Sequence, residues 1–138
     1  MKYLTVLVFS CLFLLSSCEK EGPNTQTTGS DINQQTSVLL KTGGFYPTRG
    51  ITVSGSAEIR KSASAEFVSL ANFSVSSGPD LKVYLSKKDY PSDYVNLGPL
   101  ETNKTTYQIP KGTAIEDYPF VLIHCQQYNH LFAIANLK

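Results

Sequence analysis

The sequence carries little charge and has no stretch rich in lysine or arginine. Of its 138 residues 17% are charged, and 12 basic side chains stand against 11 acidic ones. Proteins that bind nucleic acid without sequence specificity need a basic surface that attracts phosphate groups. The sequence lacks that footprint, and we therefore expect no nucleic-acid partner.

Common catalytic motifs and helical periodicity are also missing. The sequence has no Gly-x-Ser-x-Gly elbow, phosphate-binding loop or dinucleotide fingerprint, so hydrolase and nucleotide-dependent activities have no motif to support them. After residue 30, no window of eleven residues repeats its apolar positions with the spacing of a helix. This predicts a domain almost without helix, and it leaves open whether the protein is an enzyme.

Residues 1–17 have the features of a bacterial lipoprotein signal peptide. Lys2 precedes an apolar run of about 13 residues, which as a helix spans roughly 20 Å and falls short of the ~30 Å hydrocarbon core. Residues 15–18 read Leu-Ser-Ser-Cys and resemble the lipobox, at which cleavage occurs before the cysteine. We therefore expect Cys18 to be lipidated, with diacylglycerol and an N-acyl chain such as palmitate, and to anchor the protein to a membrane.

Residues 18–36 are predicted to form the lipidated N-terminus and a flexible tether. The run that follows Cys18 is polar and has no apolar residue to bury before residue 31. Its acidic start, Glu19-Lys20-Glu21, resembles surface-export signals of some Gram-negative lipoproteins. We expect the protein in the bacterial cell envelope, at the outer membrane. Cleavage removes Cys11, so Cys125 is the remaining thiol and an intramolecular disulfide is excluded.

Residues 37–138 predict one all-β domain. Apolar and polar residues alternate at 51–60 and 81–85, and the pattern at 67–75 places Phe67 and Phe73 on one face. The turn residues 76–80 between the last two runs predict a β-hairpin. Residues 94–97 and 105–109 are typical of short or edge strands, because glycine or proline ends each of them.

Two later runs are apolar on both faces, as central strands are. They lie at residues 119–125 and 131–137. With about eight short strands and frequent turns, the sequence favours an antiparallel β-sandwich. A small closed β-barrel is the alternative.

The runs at 73–86 and 121–125 also carry a family resemblance. They read Phe-Ser-Val-Ser-Ser-Gly-Pro-Asp-Leu-Lys-Val-Tyr-Leu-Ser and Val-Leu-Ile-His-Cys. With residues 131–137, they resemble the electron-transfer DM-thirteen domain, over a stretch from about residue 40 to the end. The resemblance implies redox or electron transfer with an unidentified redox or cell-surface partner. It also implies a role for Cys125 as a bare thiol or as an axial ligand to haem. The family usually has an aromatic residue before this cysteine, whereas this chain has His124.

The residues themselves leave other interpretations of Cys125 open. Cysteine is often a small buried hydrophobe, in which case the domain is a non-catalytic binding or interaction module of the cell surface. His124, Cys125 and His130 lie close in sequence, but neighbouring residues of a strand point to opposite faces, so we predict no metal site. Asp80 follows Gly78-Pro79 and fits a turn residue better than a catalytic one.

Overall fold

The computed structural model describes residues 36–138. In chain order the strands are β1 Val38–Pro47, β2 Val53–Lys61, β3 Glu66–Val75, β4 Leu81–Ser86, β5 Tyr94–Pro99, β6 Thr106–Gln108, β7 Phe120–Cys125 and β8 His130–Asn136. Within this range there is a 3-10 helix at Ile115–Asp117 but no α-helix, and no helix is long and apolar enough to cross a membrane. The prediction of an all-β domain with about eight strands is confirmed.

All eight strands join one antiparallel sheet in the order β5-β4-β7-β8-β1-β2-β3-β6. The long strand β1 connects the two halves of this sheet, because residues 38–44 pair with β2 while residues 45–47 pair with β8. The terminal strands β5 and β6 come close to each other without forming a ladder. A sandwich and a small, nearly closed barrel both describe this arrangement. The prediction that β5 and β6 are edge strands is confirmed.

The central strands β7 and β8 are covered on both faces. Val121, Ile123 and Cys125 lie in the main hydrophobic core, to which both halves of the sheet contribute. Leu122, which lies between Val121 and Ile123 in the sequence, points to the other face of the sheet. There it packs in a second cluster with Tyr84 and with residues of β8. This explains why these two strands lack a polar face, as the sequence predicted.

A β-bulge changes the core face of β3. Val68 and Leu70 lie in the main core, and Phe73 packs against the same core. The register with β2 shifts between Ser54 and Ser56, and Asn72 has a φ of 49°. An extra residue in a strand reverses the alternation beyond it. The prediction that Phe67 and Phe73 share a face is therefore wrong.

The turn at residues 76–80 joins two strands that do not pair. β3 pairs with β2 and β6, whereas β4 pairs with β5 and β7, so the predicted hairpin is wrong. The segment instead crosses from one half of the sheet to the other at one end of the domain. Its sequence has the composition of a turn, but a turn of this length can connect strands that lie apart in a sheet as well as neighbouring strands.

Candidate functional site around Cys125

Cys125 is the last residue of β7, and its side chain is completely buried. Its Cα partners are Leu81 on β4 and His130 on β8. The thiol lies in the main core, has an exposed fraction of 0% and forms no disulfide. The structure thus gives the sulfur an apolar surrounding at one end of the domain.

Two connections meet over this end of β7. The backbone N–H of Gln126 donates to the carbonyl oxygen of Asp80 at 2.9 Å, which ties the β7–β8 turn to the segment 76–80. Gly78 in that segment lies directly on the core, because a Cβ there would be 2.7 Å from the Leu81 side chain and 3.0 Å from the Phe132 ring. The two connections thus close the end of the core in which Cys125 lies.

His124 lies on the opposite face of β7 from Cys125, as the sequence predicted. Its ring is 4% exposed and stacks on Tyr84, with 5.5 Å between the ring centroids. Tyr84 is itself stacked on Tyr94 at 4.1 Å, and burial together with Tyr94 raises the pKa of Tyr84 to about 12. Nδ1 of His124 has no hydrogen-bond partner among the described residues. His124 is therefore a buried ring on the face of the sheet that points away from the main core, and it does not contact the thiol of Cys125.

The burial of His124 makes the stability of the domain sensitive to acid. Desolvation, with a smaller contribution from His130, lowers the pKa of His124 below its ordinary value of 6.5. The unfolded chain therefore binds a proton at a higher pH than the folded chain does. The stability associated with neutral His124 is present above pH ~6.5 and is lost as the pH falls through the lowered pKa of the folded state.

We expect His124→Phe to remove this part of the acid sensitivity. Phenylalanine keeps a ring against Tyr84 and leaves no unpaired nitrogen, so stability at pH 7 should change by no more than about 1 kcal/mol. The free energy of unfolding, measured by urea denaturation between pH 7 and 5, should fall less in the variant than in the unsubstituted protein. His130→Gln, at an exposed position, should keep most of the fall. Identical pH profiles for His124→Phe and the parent would contradict the assignment.

The two histidines and Cys125 do not assemble into one site. His130 is exposed and places its ring edge-on to Phe132, with 5.3 Å between centroids. Within residues 36–138 no three histidine, cysteine, aspartate or glutamate side chains are grouped so that they could hold a metal ion. His124, Cys125 and His130 are adjacent in the hairpin, but their side chains occupy different surroundings.

Asp80 and the tyrosines have identifiable structural surroundings. The Asp80 carboxylate pairs with Lys82 at 2.6 Å, and its carbonyl oxygen accepts the bond from Gln126. Tyr84 and Tyr107 are buried, whereas the side chains of Tyr46, Tyr90, Tyr94 and Tyr128 are at least 43% exposed. Asp80 therefore acts as a turn residue, and the tyrosines divide between the core and the surface.

A cavity of about 690 Å³ lies at the same end of the domain as Cys125. It is bounded by the segment 72–81 and by residues 99–105, where β3 and β5 do not pair. Leu81 lines this cavity and is also the Cα partner of Cys125. The cavity was not predictable from the sequence, because its walls come from distant segments and no local pattern signals their approach.

The residues that line the cavity can be compared with those that a haem site requires. The described residues that line it include no histidine, cysteine, methionine or tyrosine, which are the residue types that ligate haem iron. Cys125 is enclosed in the core and is not part of the lining. The residues described thus do not fit a haem ligated by Cys125.

The fold and the site define a small all-β domain with one enclosed thiol. The family model for electron transfer DM13 matches residues 47–137, from the end of β1 through β8. The chain belongs to this family, as its sequence motifs suggested. No curated protein and no solved structure is significantly similar to the chain.

Proposed function

We propose that the protein takes part in thiol-based redox or electron transfer at the bacterial cell envelope, with Cys125 as its redox-active group. The observation that carries this proposal is membership of the electron transfer DM13 family over residues 47–137. Cys125 is the only cysteine in that range. Because the residues described do not fit a haem on Cys125, the proposal takes the cysteine as a bare thiol.

A buried thiol must be uncovered before it reacts with another molecule. The β7–β8 turn offers a local route, because residues 126–129 are exposed. The bond from Gln126 to Asp80 measures 2.9 Å, and that from the Asn129 N–H to the Gln126 carbonyl oxygen is long, at 3.4 Å. Opening this turn together with the segment 76–80 that it contacts would uncover the sulfur, while the pairs of residues 120–124 of β7 remain formed.

The proposal predicts that Cys125 reacts in the folded protein. The mature chain with Cys18→Ser has Cys125 as its single thiol, so a chromogenic disulfide reagent reports on Cys125 alone. We expect native-state labelling at least tenfold faster than global unfolding, measured on the same protein by denaturant jump. Labelling of the urea-unfolded chain gives the rate for a fully accessible thiol. A native labelling rate equal to the global unfolding rate would show that the thiol is reached only by unfolding, and it would contradict a redox role.

The membrane anchor is a second part of the proposal. Cys18 lies outside the described residues, and its lipidation rests on the lipobox at residues 15–18. The tether between Cys18 and the first strand would hold the domain at the outer membrane, where it would meet its redox partner. In fractionated cells, Cys18→Ser should move most of the protein from the membrane fraction to the soluble fraction, and unchanged membrane association would contradict the anchor.

A binding or interaction module without redox chemistry is the second candidate function. The complete burial of Cys125 in the main core favours it, because a cysteine in such a place also serves as a small apolar side chain. The labelling experiment separates the two candidates, since this alternative predicts a thiol that reacts only after unfolding.

A further inference from the structure

We propose that the cavity between β3 and β5 binds a small, uncharged, redox-active ring compound of the quinone class. This inference rests on the proposed electron-transfer function. The cavity itself favours an uncharged ring compound, and the proposed function is the reason for choosing one that is redox-active. The cavity of about 690 Å³ is within the range of roughly 300–1,000 Å³ that is usual for small-molecule sites. It has room for one or two fused rings with short substituents.

The lining of the cavity combines an apolar floor with a polar rim. Phe73, Val75, Leu81 and Leu100 supply the floor, and all four belong to the main core or pack against it. Serine and threonine hydroxyl groups surround this floor, at residues 74, 76, 77, 102 and 105. An apolar ring with carbonyl or hydroxyl oxygens at its edge matches both parts.

Each charged side chain that lines the cavity has a partner of opposite charge. Asp80 pairs with Lys82 at 2.6 Å. Glu101 pairs with Lys104 at 3.7 Å, and the Lys104 ammonium group also lies 4.8 Å from the centroid of the Tyr107 ring. Lys82 does not itself line the cavity, but both lining carboxylates have a basic partner, so the charges near the cavity offset each other. The charge pattern thus favours an uncharged ligand over a phosphate, a carboxylate or an ammonium compound.

Backbone hydrogen bonds hold the walls of the cavity in place. The Leu100 N–H donates to the Leu81 carbonyl oxygen at 2.8 Å, and the Leu70 N–H donates to the Thr105 carbonyl oxygen at 2.8 Å. On the third side, the Thr52 N–H donates to Oγ of Ser76 at 2.9 Å. Binding at a cavity formed in this way does not require the ordering of a loop, which would otherwise reduce the affinity.

The position of the cavity relates its ligand to Cys125. Leu81 contributes to the cavity lining, and on the neighbouring strand it lies directly opposite Cys125. Directly paired residues of antiparallel strands have Cα atoms about 4.5–5.5 Å apart. A bound ring would therefore lie one side chain away from the thiol without touching it.

The test measures binding of tetramethyl-1,4-benzoquinone to the full mature chain carrying Cys18→Ser, which stays unlipidated and needs no detergent. This probe has no free ring position for addition of a thiol, so binding is separated from covalent modification of Cys125. We expect saturable binding at one site. The binding is monitored by NMR, as changes in the chemical shifts of the backbone amides that line the cavity. A naphthoquinone sulfonate, which adds a negative charge, should bind at least tenfold more weakly.

Two matched substitutions locate the site. Ser77→Trp fills the rim of the cavity at an exposed position and should weaken binding at least tenfold. Ser64→Trp makes the same change in the exposed β2–β3 connection, outside the cavity lining, and should leave the affinity unchanged. The thermal unfolding midpoint of each variant confirms that it is folded. The absence of saturable binding, equal weakening by both substitutions, or equal affinity for the sulfonate would overturn the inference.

A third variant keeps this inference separate from the proposed function. Cys125→Ala should bind the benzoquinone as tightly as the parent chain does, because Cys125 does not line the cavity. Slow labelling of Cys125 together with specific benzoquinone binding would contradict the thiol redox role and leave the binding site standing. Rapid labelling of Cys125 without benzoquinone binding would support the thiol redox role and contradict the binding site.

Discussion

Gly43→Ala should lower the free energy of unfolding by roughly 3 kcal/mol, which is the upper part of the range for overpacking substitutions. A Cβ at residue 43 would lie 2.6 Å from the carbonyl carbon of Asn136 and 3.2 Å from the backbone nitrogen of Leu137. These are backbone atoms, so relief requires β1 and the end of β8 to move apart. The same region carries reciprocal hydrogen bonds between the backbones of Thr42 and Lys138, at 3.1 and 2.9 Å. For a domain of about this size the thermal midpoint should fall by roughly 10–20 °C.

Gly44→Ala is the matched control for this substitution. The two glycines are neighbours in β1, but a Cβ at residue 44 would meet no atom within 4 Å. Alanine at residue 44 should therefore be neutral or stabilise the domain by up to about 1 kcal/mol, since it reduces the freedom of the unfolded chain. Calorimetry or urea denaturation of both variants measures the contrast. Equal effects of the two substitutions would show that the contact between β1 and the end of β8 does not restrict residue 43.

Alternation was sufficient to predict most of the strands. The patterns at residues 51–60 and 81–85 correspond to β2 and β4, and the apolar runs at 119–125 and 131–137 correspond to β7 and β8. These segments bury one or both faces, and burial leaves a period of two or a continuous apolar run in the sequence. The composition of each segment thus reflected its position in the sheet.

The strand β1 had no comparable signal. Val38, Leu39 and Leu40 are consecutive apolar residues, and each is at least 40% exposed. Gly43 and Gly44 follow and contribute no alternation. Residues 38–47 form a strand because β2 and β8 pair with them, which no local pattern reveals.

The candidate site was predictable only in its local geometry. The alternation of side chains along β7 predicted that His124 and Cys125 diverge, and they do. The enclosure of Cys125 depends on the main core, which also contains Leu81 from β4 and Phe132 from β8, and Leu81 is far from Cys125 in the sequence. The cavity is likewise lined by the bulge at Asn72 and by the segment 76–80 that crosses between the halves of the sheet, and the local sequence pattern predicted neither feature.

Cys125→Ala and Cys125→Ser should differ in stability although both remove the thiol. Alanine leaves a small cavity in the core, and we expect a loss of about 1 kcal/mol. Serine places a hydroxyl group among apolar side chains, and an unpaired buried hydroxyl costs roughly 1–3 kcal/mol. Urea denaturation should therefore rank the unsubstituted protein first, Cys125→Ala second and Cys125→Ser last. Equal stability of the two variants would show that residue 125 reaches water or a polar partner.

A mixed disulfide on Cys125 adds the readout that distinguishes a redox group from a core residue. Incubation with glutathione disulfide lets the thiolate attack one sulfur, so that a new disulfide forms and glutathione thiolate leaves. We expect the Cys18→Ser chain, in which Cys125 is intact, to form this adduct and to remain folded. The β7–β8 turn should be displaced, and the ladders of β7 should be retained. Cys125→Ala should form no adduct and serves as the control in intact-mass analysis. A redox group must be tolerated by the fold in both of its states, so global unfolding of the adduct, seen by loss of dispersed amide signals, would contradict the proposed role and favour the binding module.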